Sequence, residues 1–352
     1  MAKPISYREQ EKIENTIKLR EFLQELPPYV KDFFRAKEST TSDKTRLSYA
    51  YDLRVFFRFL KENNPALKNL QISEISMEHL ESLKPVDFEE FQEYLKAYKT
   101  TDERLETNSR IGIARKLSCL RSFFDYLCKR ELLITNPVRL IDMPKIKEKA
   151  IVQLDPDEVA SLLDYIENYG NELTGVQLYH YNKQKYRDIA IITLLLGTGV
   201  RVSECVGLNI SDVDFKNNGI RILRKGGNEM VVYFGEEVEY ALKDYLEITR
   251  NGITPVAGHE DALFLSGQRK RISVDAVEKM VKKYCSAVSV KTITPHKLRS
   301  TYGTALYRET GDIYLVADVL GHSDVNTTKR HYARLSDARR REASKAVTLR
   351  EK

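Results

Sequence analysis

The hydrophobic positions in the first third of the chain recur at the three- and four-residue spacing of amphipathic helices. Residues 45–60 follow this spacing, and residues 107–128 follow it again. Three candidate N-caps precede the first of these segments: Thr41, Ser42 and Asp43. The apolar stripe of the second segment consists of Ile113, Leu117, Leu120, Phe124 and Leu127.

The helical pattern ends at Asn136-Pro137, because the residue before a proline disfavours helical backbone. Residues 143–153 are basic and have no clear periodicity, which predicts a linker. A new helix is predicted directly after them, with Asp155 as N-cap and Pro156 at its first position.

The remainder of the chain mixes helical and strand signals. Residues 186–196 predict a buried helix, whereas 219–223 and 230–234 predict two short strands. The turn between the strands, 224–228, contains two glycines and predicts a hairpin. Helical patterns then return at 238–249, 273–284, 295–309, 313–320 and from 327 onward.

These patterns predict a mainly α protein with a small β-hairpin or sheet in its C-terminal domain, an α+β fold. We expect a helical domain at 1–142, with one extra helix inside residues 1–35 and no separate domain ahead of it. A second domain is expected at 154–352, and the basic segment 143–153 is expected to join the two.

Composition adds a charge argument. The net charge is +6, from 57 Lys and Arg against 51 Asp and Glu. Residues 108–149 hold ten basic and four acidic side chains, and residues 265–299 hold nine and two, so the rest of the chain is net acidic. Two concentrated basic segments suit a polyanion such as DNA, although two solvated helix faces would give the same counts.

The composition does not indicate a disulfide-bonded, secreted or membrane protein. The four cysteines, Cys119, Cys128, Cys205 and Cys285, form no CxxC pair, which indicates reduced thiols used in packing. The N-terminus lacks the apolar block of a signal peptide, and the longest apolar run, 189–200, is too short for a bilayer. We therefore expect a cytoplasmic protein with no membrane partner.

Outward-facing polar and basic residues are candidate DNA contacts, because such side chains can approach a phosphate backbone closely. They lie on the two N-terminal helices, in the linker and in the second basic segment. They are Lys44, Thr45, Ser48, Asn108, Arg110, Arg115, Ser118, Arg121, Lys145, Lys147, Arg269, Lys270 and Arg271. A plain amphipathic helix would present a similar face, so DNA contact is a hypothesis here.

Four local patterns carry residue types that can act on a phosphodiester. They are an Arg after the broken turn of GTGVRVSE, a Lys in the hairpin turn, a His and an Arg one helical turn apart in TPHKLR, and LGH followed ten residues later by a Tyr. Each pattern alone is common in ordinary helices and turns. The candidate catalytic residues are Arg201, Lys225, His296, Arg299, His322 and Tyr332.

In this order and spacing, the patterns resemble the tyrosine recombinases and phage-type integrases, particularly the Xer-type resolvases. The resemblance covers the whole second domain and, more weakly, the first, which is similar to the family's core-binding domain. It implies an enzyme that cleaves and rejoins double-stranded DNA at a specific recombination site, without a metal, ATP or other cofactor. It also implies a homotetramer on two DNA sites, with a dimer on each, held through a C-terminal tail at 336–352.

The resemblance also assigns a role to each candidate. The two arginines would clamp the non-bridging oxygens of the phosphate, where charge gathers in the transition state. Tyr332 would attack phosphorus and form a 3′-phosphotyrosyl link, and His296 would assist its deprotonation. Lys225 would protonate the departing 5′ oxygen, and His322 would hydrogen-bond the phosphate or shuttle a proton.

Two positions depart from the family pattern. Ser300 follows Arg299 where many relatives have a His. Tyr332 lies one residue further from His322 than is commonest, and His331 occupies the usual place. Three alternatives stay open: an integrase of a mobile element, a type IB topoisomerase-like enzyme that joins no second site, and a catalytically silent DNA-binding protein on the same scaffold.

Overall fold

The computed structural model describes residues 7–100, 102–146, 152–224, 227–321 and 325. Contacts within the chain divide it into two compact units, Met1–Lys149 and Ala150–Lys352. The division falls inside the segment 143–153, where the sequence predicts a linker.

The described residues of the first unit form six helices and one small hairpin. The helices are α1 (Tyr7–Glu25), α2 (Pro28–Ala36), α3 (Asp43–Asn63), α4 (Met77–Glu81), α5 (Pro85–Tyr94) and α6 (Arg110–Lys129). Strands β1 (Ala97–Lys99) and β2 (Leu105–Thr107) pair antiparallel. Short 3₁₀ turns lie at Ile72–Glu74 and Pro137–Arg139.

Aromatic side chains fill the core of this unit. Seven phenylalanines are almost completely buried: Phe33, Phe56, Phe57, Phe88, Phe91, Phe123 and Phe124. Many meet edge to face, as Phe88 and Phe124 do with ring centroids 5.2 Å apart, an arrangement that the quadrupoles of the rings favour. The apolar positions at helical spacing on α3, Ala50, Leu53, Phe57 and Leu60, and the predicted stripe on α6 are all buried in this core. The two helices therefore pack through their predicted faces.

The predicted boundaries in this unit need three corrections. Helix α3 begins two residues early, because Ser42 is its N-cap and accepts a hydrogen bond from the backbone N–H of Thr45 at 3.3 Å. Helix α6 begins only at Arg110, because β2 pairs with β1 in a hairpin that the prediction of an all-helical domain missed. The single extra helix expected near the N-terminus is two, since Pro27 and Pro28 separate α1 from α2.

The second unit mixes helices with a three-stranded sheet. The helices are α7 (Pro156–Asn168), α8 (Gly175–Thr198), α9 (Val202–Gly207), α10 (Glu236–Asp244), α11 (Val274–Val288), α12 (Pro295–Thr310) and α13 (Ile313–Leu320). The strands are β3 (Val213–Asp214), β4 (Gly219–Leu223) and β5 (Glu229–Tyr233). Short 3₁₀ turns lie at Tyr169–Glu172, Ile210–Asp212 and Arg250–Gly252, and α10 runs on into a π-helix, Tyr245–Thr249.

Helix α8 is the centre of the second unit. It contacts α7, α10 and α12, and residues 190–195 are buried without interruption, which explains why all of them except Thr193 are apolar. The prediction at 186–196 identified only this buried part, because the first half of α8 is polar. Its C-terminus delivers the chain directly to α9, where the first candidate arginine lies.

The sheet presents the predicted hairpin. Its strand order is β3-β4-β5, all antiparallel, and the pairing runs from Gly219–Tyr233 to Leu223–Glu229. Strand β4 has the predicted bounds, β5 begins one residue early, and β3 was not predicted because it is only two residues long.

The helical predictions after the sheet hold, with shifts at the ends. The segment 238–249 begins at Glu236, and Ser273 caps α11 without belonging to it. Helix α13 has the predicted bounds.

Helix α7, ahead of the sheet, begins with Asp155 as its N-cap and Pro156 as its first residue, as predicted. The predicted helix from 327 onward and the tail at 336–352 lie outside the described residues.

The cysteines are free thiols, as predicted. Burial raises the pKa of Cys205 and of Cys285 to about 12, so both remain protonated at neutral pH and act as small apolar side chains. Among the described residues, no helix is both long enough and apolar enough to cross a membrane.

Candidate active site

Arg201 is held at the start of α9 by a buried carboxylate. Gly199 ends α8 in the left-handed conformation, with φ of 63°, and turns the chain towards α9. Arg201 is the N-cap of α9. Glu204, one turn later and 3% exposed, accepts hydrogen bonds from the Arg201 backbone N–H and from Nη1, both at 2.8 Å. The Arg201 guanidinium is therefore fixed at its base and about one third exposed.

Arg299 lies on α12 and is almost fully buried, at 4% exposure. Its Nη1 donates to the carbonyl of Gly199 and its Nη2 to the carbonyl of Leu320. The side chain thus joins the turn between α8 and α9 to the end of α13. The same turn also packs tightly, since a Cβ at Gly199 would collide with Tyr302 and Leu320.

Three arginines converge on the C-terminal end of α13. Arg224 Nη2 donates to the carbonyl of Val319 at 2.6 Å, and Arg201 Nη2 donates to the carbonyl of Gly321 at 3.1 Å. Arg299 donates to Leu320, the residue between them. The last carbonyls of a helix lack intrahelical donors and carry partial negative charge, so they attract cations. The result is a cluster of guanidiniums gathered at one place.

The electrostatics of the cluster are strongly positive. Glu204 forms a side-chain ion pair with Arg201, with N and O 2.8 Å apart. Burial lowers the pKa of Arg224, the nearby charge of Arg201 lowers it further, and Glu204 and Asp318 oppose the shift. Arginine stays charged despite such shifts, so the locus favours an anion that can accept several hydrogen bonds at once.

His296 lies in the first turn of α12, next to the N-cap Thr294, and is exposed. Arg299 follows three residues later on the same helix but is buried. The pair therefore spans the boundary between the solvent and the interior, with the imidazole outside and the guanidinium inside. The other three catalytic candidates, Lys225, His322 and Tyr332, lie outside the described residues.

The candidate DNA face of the first unit contains a bidentate ion pair. Arg115 on α6 donates to the two carboxylate oxygens of Asp52 on α3 at 2.6 and 2.7 Å, and to Ser48. Asp52 is 2% exposed, and Lys116 lies 3.6 Å from it. Burial raises the pKa of Asp52, and the charges of Arg115 and Lys116 oppose this rise. The pair joins the polar faces of α3 and α6.

The neighbouring candidates also have partners inside the protein. Lys44 forms an exposed ion pair with Glu11, and the Thr45 hydroxyl bonds to that of Ser42. Asn108 donates to the carbonyl of Leu95, and the Ser118 hydroxyl donates to that of Ala114. Arg121 donates to the carbonyls of Val138 and Ile141, which anchors the segment after α6.

The remaining candidates divide into exposed and engaged residues. Arg110, Lys145, Arg269 and Lys270 are exposed, whereas Arg271 donates to the carbonyls of Val206 and Leu208 and to the amide oxygen of Asn209. Lys147 lies outside the described residues. DNA contact by these residues, and by those on α3 and α6, stays a prediction.

Two residues at this site were assigned no role from the sequence: Glu204, which holds Arg201, and Arg224. Glu204 stands three residues after Arg201, the spacing of a capping box, so the sequence held a usable signal for it. Arg224 carried no such signal, because a residue in a glycine-rich turn is usually solvated. In the described part of the chain, no group of three or more His, Cys, Asp or Glu residues is placed to hold a metal ion.

Comparisons with known proteins match both units. The profile of the Phage integrase family matches residues 153–339, and that of the phage integrase N-terminal SAM-like domain matches residues 30–131. Tyrosine recombinase XerC of Caldanaerobacter subterraneus subsp. tengcongensis is 34% identical over 346 residues, covering 93% of this chain and 90% of that protein. Tyrosine recombinase XerS of Streptococcus agalactiae is 34% identical over 334 residues, covering 88% and 93%.

Two solved structures share the fold. The post-cleavage complex of XerH site-specific recombinase bound to palindromic difH substrate has a TM-score of 0.64 at 20% identity and covers 98% of this chain and 90% of that one. The Tn1549 transposon integrase in complex with transposon right end DNA also has a TM-score of 0.64, at 22% identity, covering 90% and 98%.

Proposed function

Because this chain belongs to the phage integrase family of tyrosine recombinases, we propose that it performs Xer-type site-specific recombination through a 3′-phosphotyrosyl intermediate at Tyr332. The observation that carries this proposal is the convergence of Arg201 and Arg299 on successive carbonyls at the end of α13. His322, the next residue in the chain, is a further candidate for the same phosphate.

The arginines supply the electrostatic part of the chemistry. Planar guanidiniums can donate to the non-bridging oxygens of a phosphate in a fixed geometry, and these oxygens gain charge in the five-coordinate transition state. Glu204 fixes Arg201 before the substrate arrives, so little reorganisation is needed. The scissile phosphate would then accept hydrogen bonds that the α13 carbonyls accept in the structure described here.

The proton and bond changes balance without a cofactor. The Tyr332 oxygen forms a bond to phosphorus while the bond from phosphorus to the 5′ oxygen breaks. The tyrosine proton passes to His296, Lys225 gives a proton to the departing 5′ oxygen, and His322 hydrogen-bonds the phosphate. The phosphotyrosyl bond conserves the energy of the broken phosphodiester, so we expect that rejoining needs no ATP, metal ion or other cofactor.

We propose double-stranded DNA with a specific recombination site as the partner, bound by four copies of this chain on two sites. The relatives in the solved structures are bound to DNA, and strand exchange between two duplexes requires four nucleophiles. The segment 143–153 would join the two units, and the tail at 336–352 would connect neighbouring copies. A two-site plasmid tests this: recombined products support it, and relaxation without exchange supports the topoisomerase-like alternative.

For the biological role we propose chromosome dimer resolution, because the Xer relatives reach 34% identity over most of the chain. The fold is equally similar to a transposon integrase, which keeps integration of a mobile element as the second candidate. Sequencing of DNA trapped covalently on the protein in its host cells separates the two. One chromosomal site in every cell supports dimer resolution, whereas the ends of an element support integration.

The first unit is proposed to hold the DNA through the faces of α3 and α6. Arg110 is exposed on α6, and its loss should weaken binding at all sequences and reduce the salt slope by about 1. Glu106→Gln, on the neighbouring strand, is the matched control because it removes a charge of opposite sign. Unchanged salt dependence in Arg110→Ala would remove this residue from the DNA interface.

A further inference from the structure

Arg224 occupies an unusual position for a residue at a hairpin turn. Its backbone closes the turn, since its N–H donates to the carbonyl of Asn228 at 2.8 Å and its own carbonyl accepts from Gly227 at 3.1 Å. The residue is nevertheless only 9% exposed, while Arg221, three residues earlier on β4, is exposed. Burial of a guanidinium is costly unless its hydrogen bonds are made inside the protein, so a specific contact must hold it there.

That contact is with the last turn of α13. Arg224 Nη2 donates to the carbonyl of Val319 at 2.6 Å. The guanidinium also covers Gly321 so closely that a Cβ at this position would overlap Nη1 and Cζ. Gly321 adopts φ of 60°, a conformation that glycine accepts without strain. Glycine is therefore required at 321 both for its backbone angle and for the space that Arg224 fills.

The two ends of this contact each adjoin a residue of the proposed mechanism. Lys225 follows Arg224 in the chain, and His322 follows Gly321. We propose that Arg224 is a positioning residue that ties the tip of the hairpin to the end of α13, and thereby places the general acid Lys225 relative to the phosphate. This inference rests on the proposed function, in which Lys225 protonates the 5′ oxygen.

The positioning role differs from a direct contact of Arg224 with DNA in what it predicts for binding, which a direct contact would weaken on loss of the side chain. The guanidinium is packed over Gly321 and donates to the carbonyl of Val319. A side chain that acts through another should affect only the step which that other residue performs. For Arg224 that step is the protonation of the leaving 5′ oxygen.

The test compares two cleavage substrates in the full-length protein. One has the native 5′ oxygen at the scissile phosphate and the other a 5′-bridging sulfur, which leaves without a proton. Lys225→Ala, the reference, should cleave only the sulfur substrate well. Arg224→Ala should lose about 10²-fold on the oxygen substrate, because small displacements of a catalytic group have effects of this size, and stay within about threefold of wild type on sulfur. DNA binding should be unchanged.

Two further variants keep the test decisive. Arg224→Lys retains the charge but not the planar fork, so it should show the same selective loss, to a smaller degree, even if the alanine variant folds poorly. Arg221→Ala removes an exposed arginine from β4, the strand that leads into the turn, and should leave the ratio of the two cleavage rates unchanged. Equal losses on both substrates for the Arg224 variants would overturn the positioning role.

The outcomes also distinguish this inference from the proposed function. Rescue of Lys225→Ala by sulfur without rescue of the Arg224 variants overturns the inference alone. Failure of sulfur to rescue Lys225→Ala overturns the general-acid assignment and the inference with it. In addition, Gly321→Ala should be less damaging to thermal stability when combined with Arg224→Ala than alone, because the second change removes the colliding guanidinium. Additive effects would mean that the two side chains do not meet.

Discussion

Replacement of Arg115 by alanine should destabilise the first unit, because it leaves a buried carboxylate with too little compensation. Asp52 is 2% exposed and accepts two hydrogen bonds from Arg115, at 2.6 and 2.7 Å. After the substitution only Lys116, at 3.6 Å, remains as a cationic partner. A buried charge without full pairing is among the few causes of large destabilisation by a single substitution.

The structure sets the size of the effect. Removal of one partner from a buried ion pair costs about 3–5 kcal/mol, and we expect about 2–3 kcal/mol here, since Arg115 is 45% exposed and Lys116 stays in place. For a unit of this size the melting temperature falls by about 2–4 °C per kcal/mol, which gives a decrease of about 4–12 °C.

The pH dependence identifies the cause. Burial raises the pKa of Asp52 above its ordinary value, and Arg115 opposes the rise. In Arg115→Ala the folded-state pKa should therefore rise further above the unfolded value. The folded state then binds the proton more tightly, so acidification favours folding at this residue. The difference in unfolding free energy between wild type and Arg115→Ala should therefore become smaller as the pH falls through the folded-state pKa that Asp52 has in the variant.

Calorimetric melting at pH 7.5 and at mildly acidic pH measures both effects. The double variant Asp52→Asn/Arg115→Ala should recover much of the loss at neutral pH, because the uncompensated charge is gone. Arg110→Ala, an exposed arginine on the same helix, should change stability by less than about 0.5 kcal/mol. The reasoning is refuted if Arg115→Ala melts like Arg110→Ala, or if its deficit is independent of pH and persists in the double variant.

Three further predictions concern chemistry, pH and assembly. Arg201→Ala and Arg299→Ala should each reduce the cleavage rate by roughly 10²–10³ while DNA binding weakens far less; parallel losses in single-turnover cleavage and gel-shift assays would contradict this. The Lys291 ammonium holds the pKa of Glu158 at about 2 against the usual 4.5, so the pair should stabilise the protein above about pH 4.5 and lose this effect as the pH falls towards 2. Glu158→Gln should lack that component in acid denaturation, and an unchanged acid profile would contradict the pairing. A chain ending after Leu335 should bind one site as a monomer but lose cooperative binding and recombination between two sites; wild-type recombination would exclude the tail from the mechanism.

Local periodicity was sufficient for most of the fold but not for its short strands. Helices such as α3, α6 and α13 are strongly patterned, so both ends of each were predicted to within three residues. The hairpin of β1 and β2 has only three residues in each strand, and its polar, exposed side chains give no alternating signal. Its existence depends on pairing across the loop, which a single-sequence pattern does not express.

The candidate site was likewise predicted only in part from the sequence. The resemblance of the motif order around Arg201 and Arg299 to a known family implied that these two arginines act together. The partners of those arginines could not be predicted, since a backbone carbonyl has no identity in the sequence. For the same reason no sequence pattern singled out Arg224 or Asp52. Both acquire their roles only when distant segments pack together.

The most direct test of the account is the identity of the residue that becomes attached to DNA. A nicked suicide substrate traps the cleaved intermediate, and peptide mass spectrometry of the adduct locates the bond. We predict a 3′-phosphate attached to Tyr332, with Tyr332→Phe binding the same DNA normally and forming no SDS-resistant complex. An adduct that persists in Tyr332→Phe, or that maps to His331, would contradict the central claim.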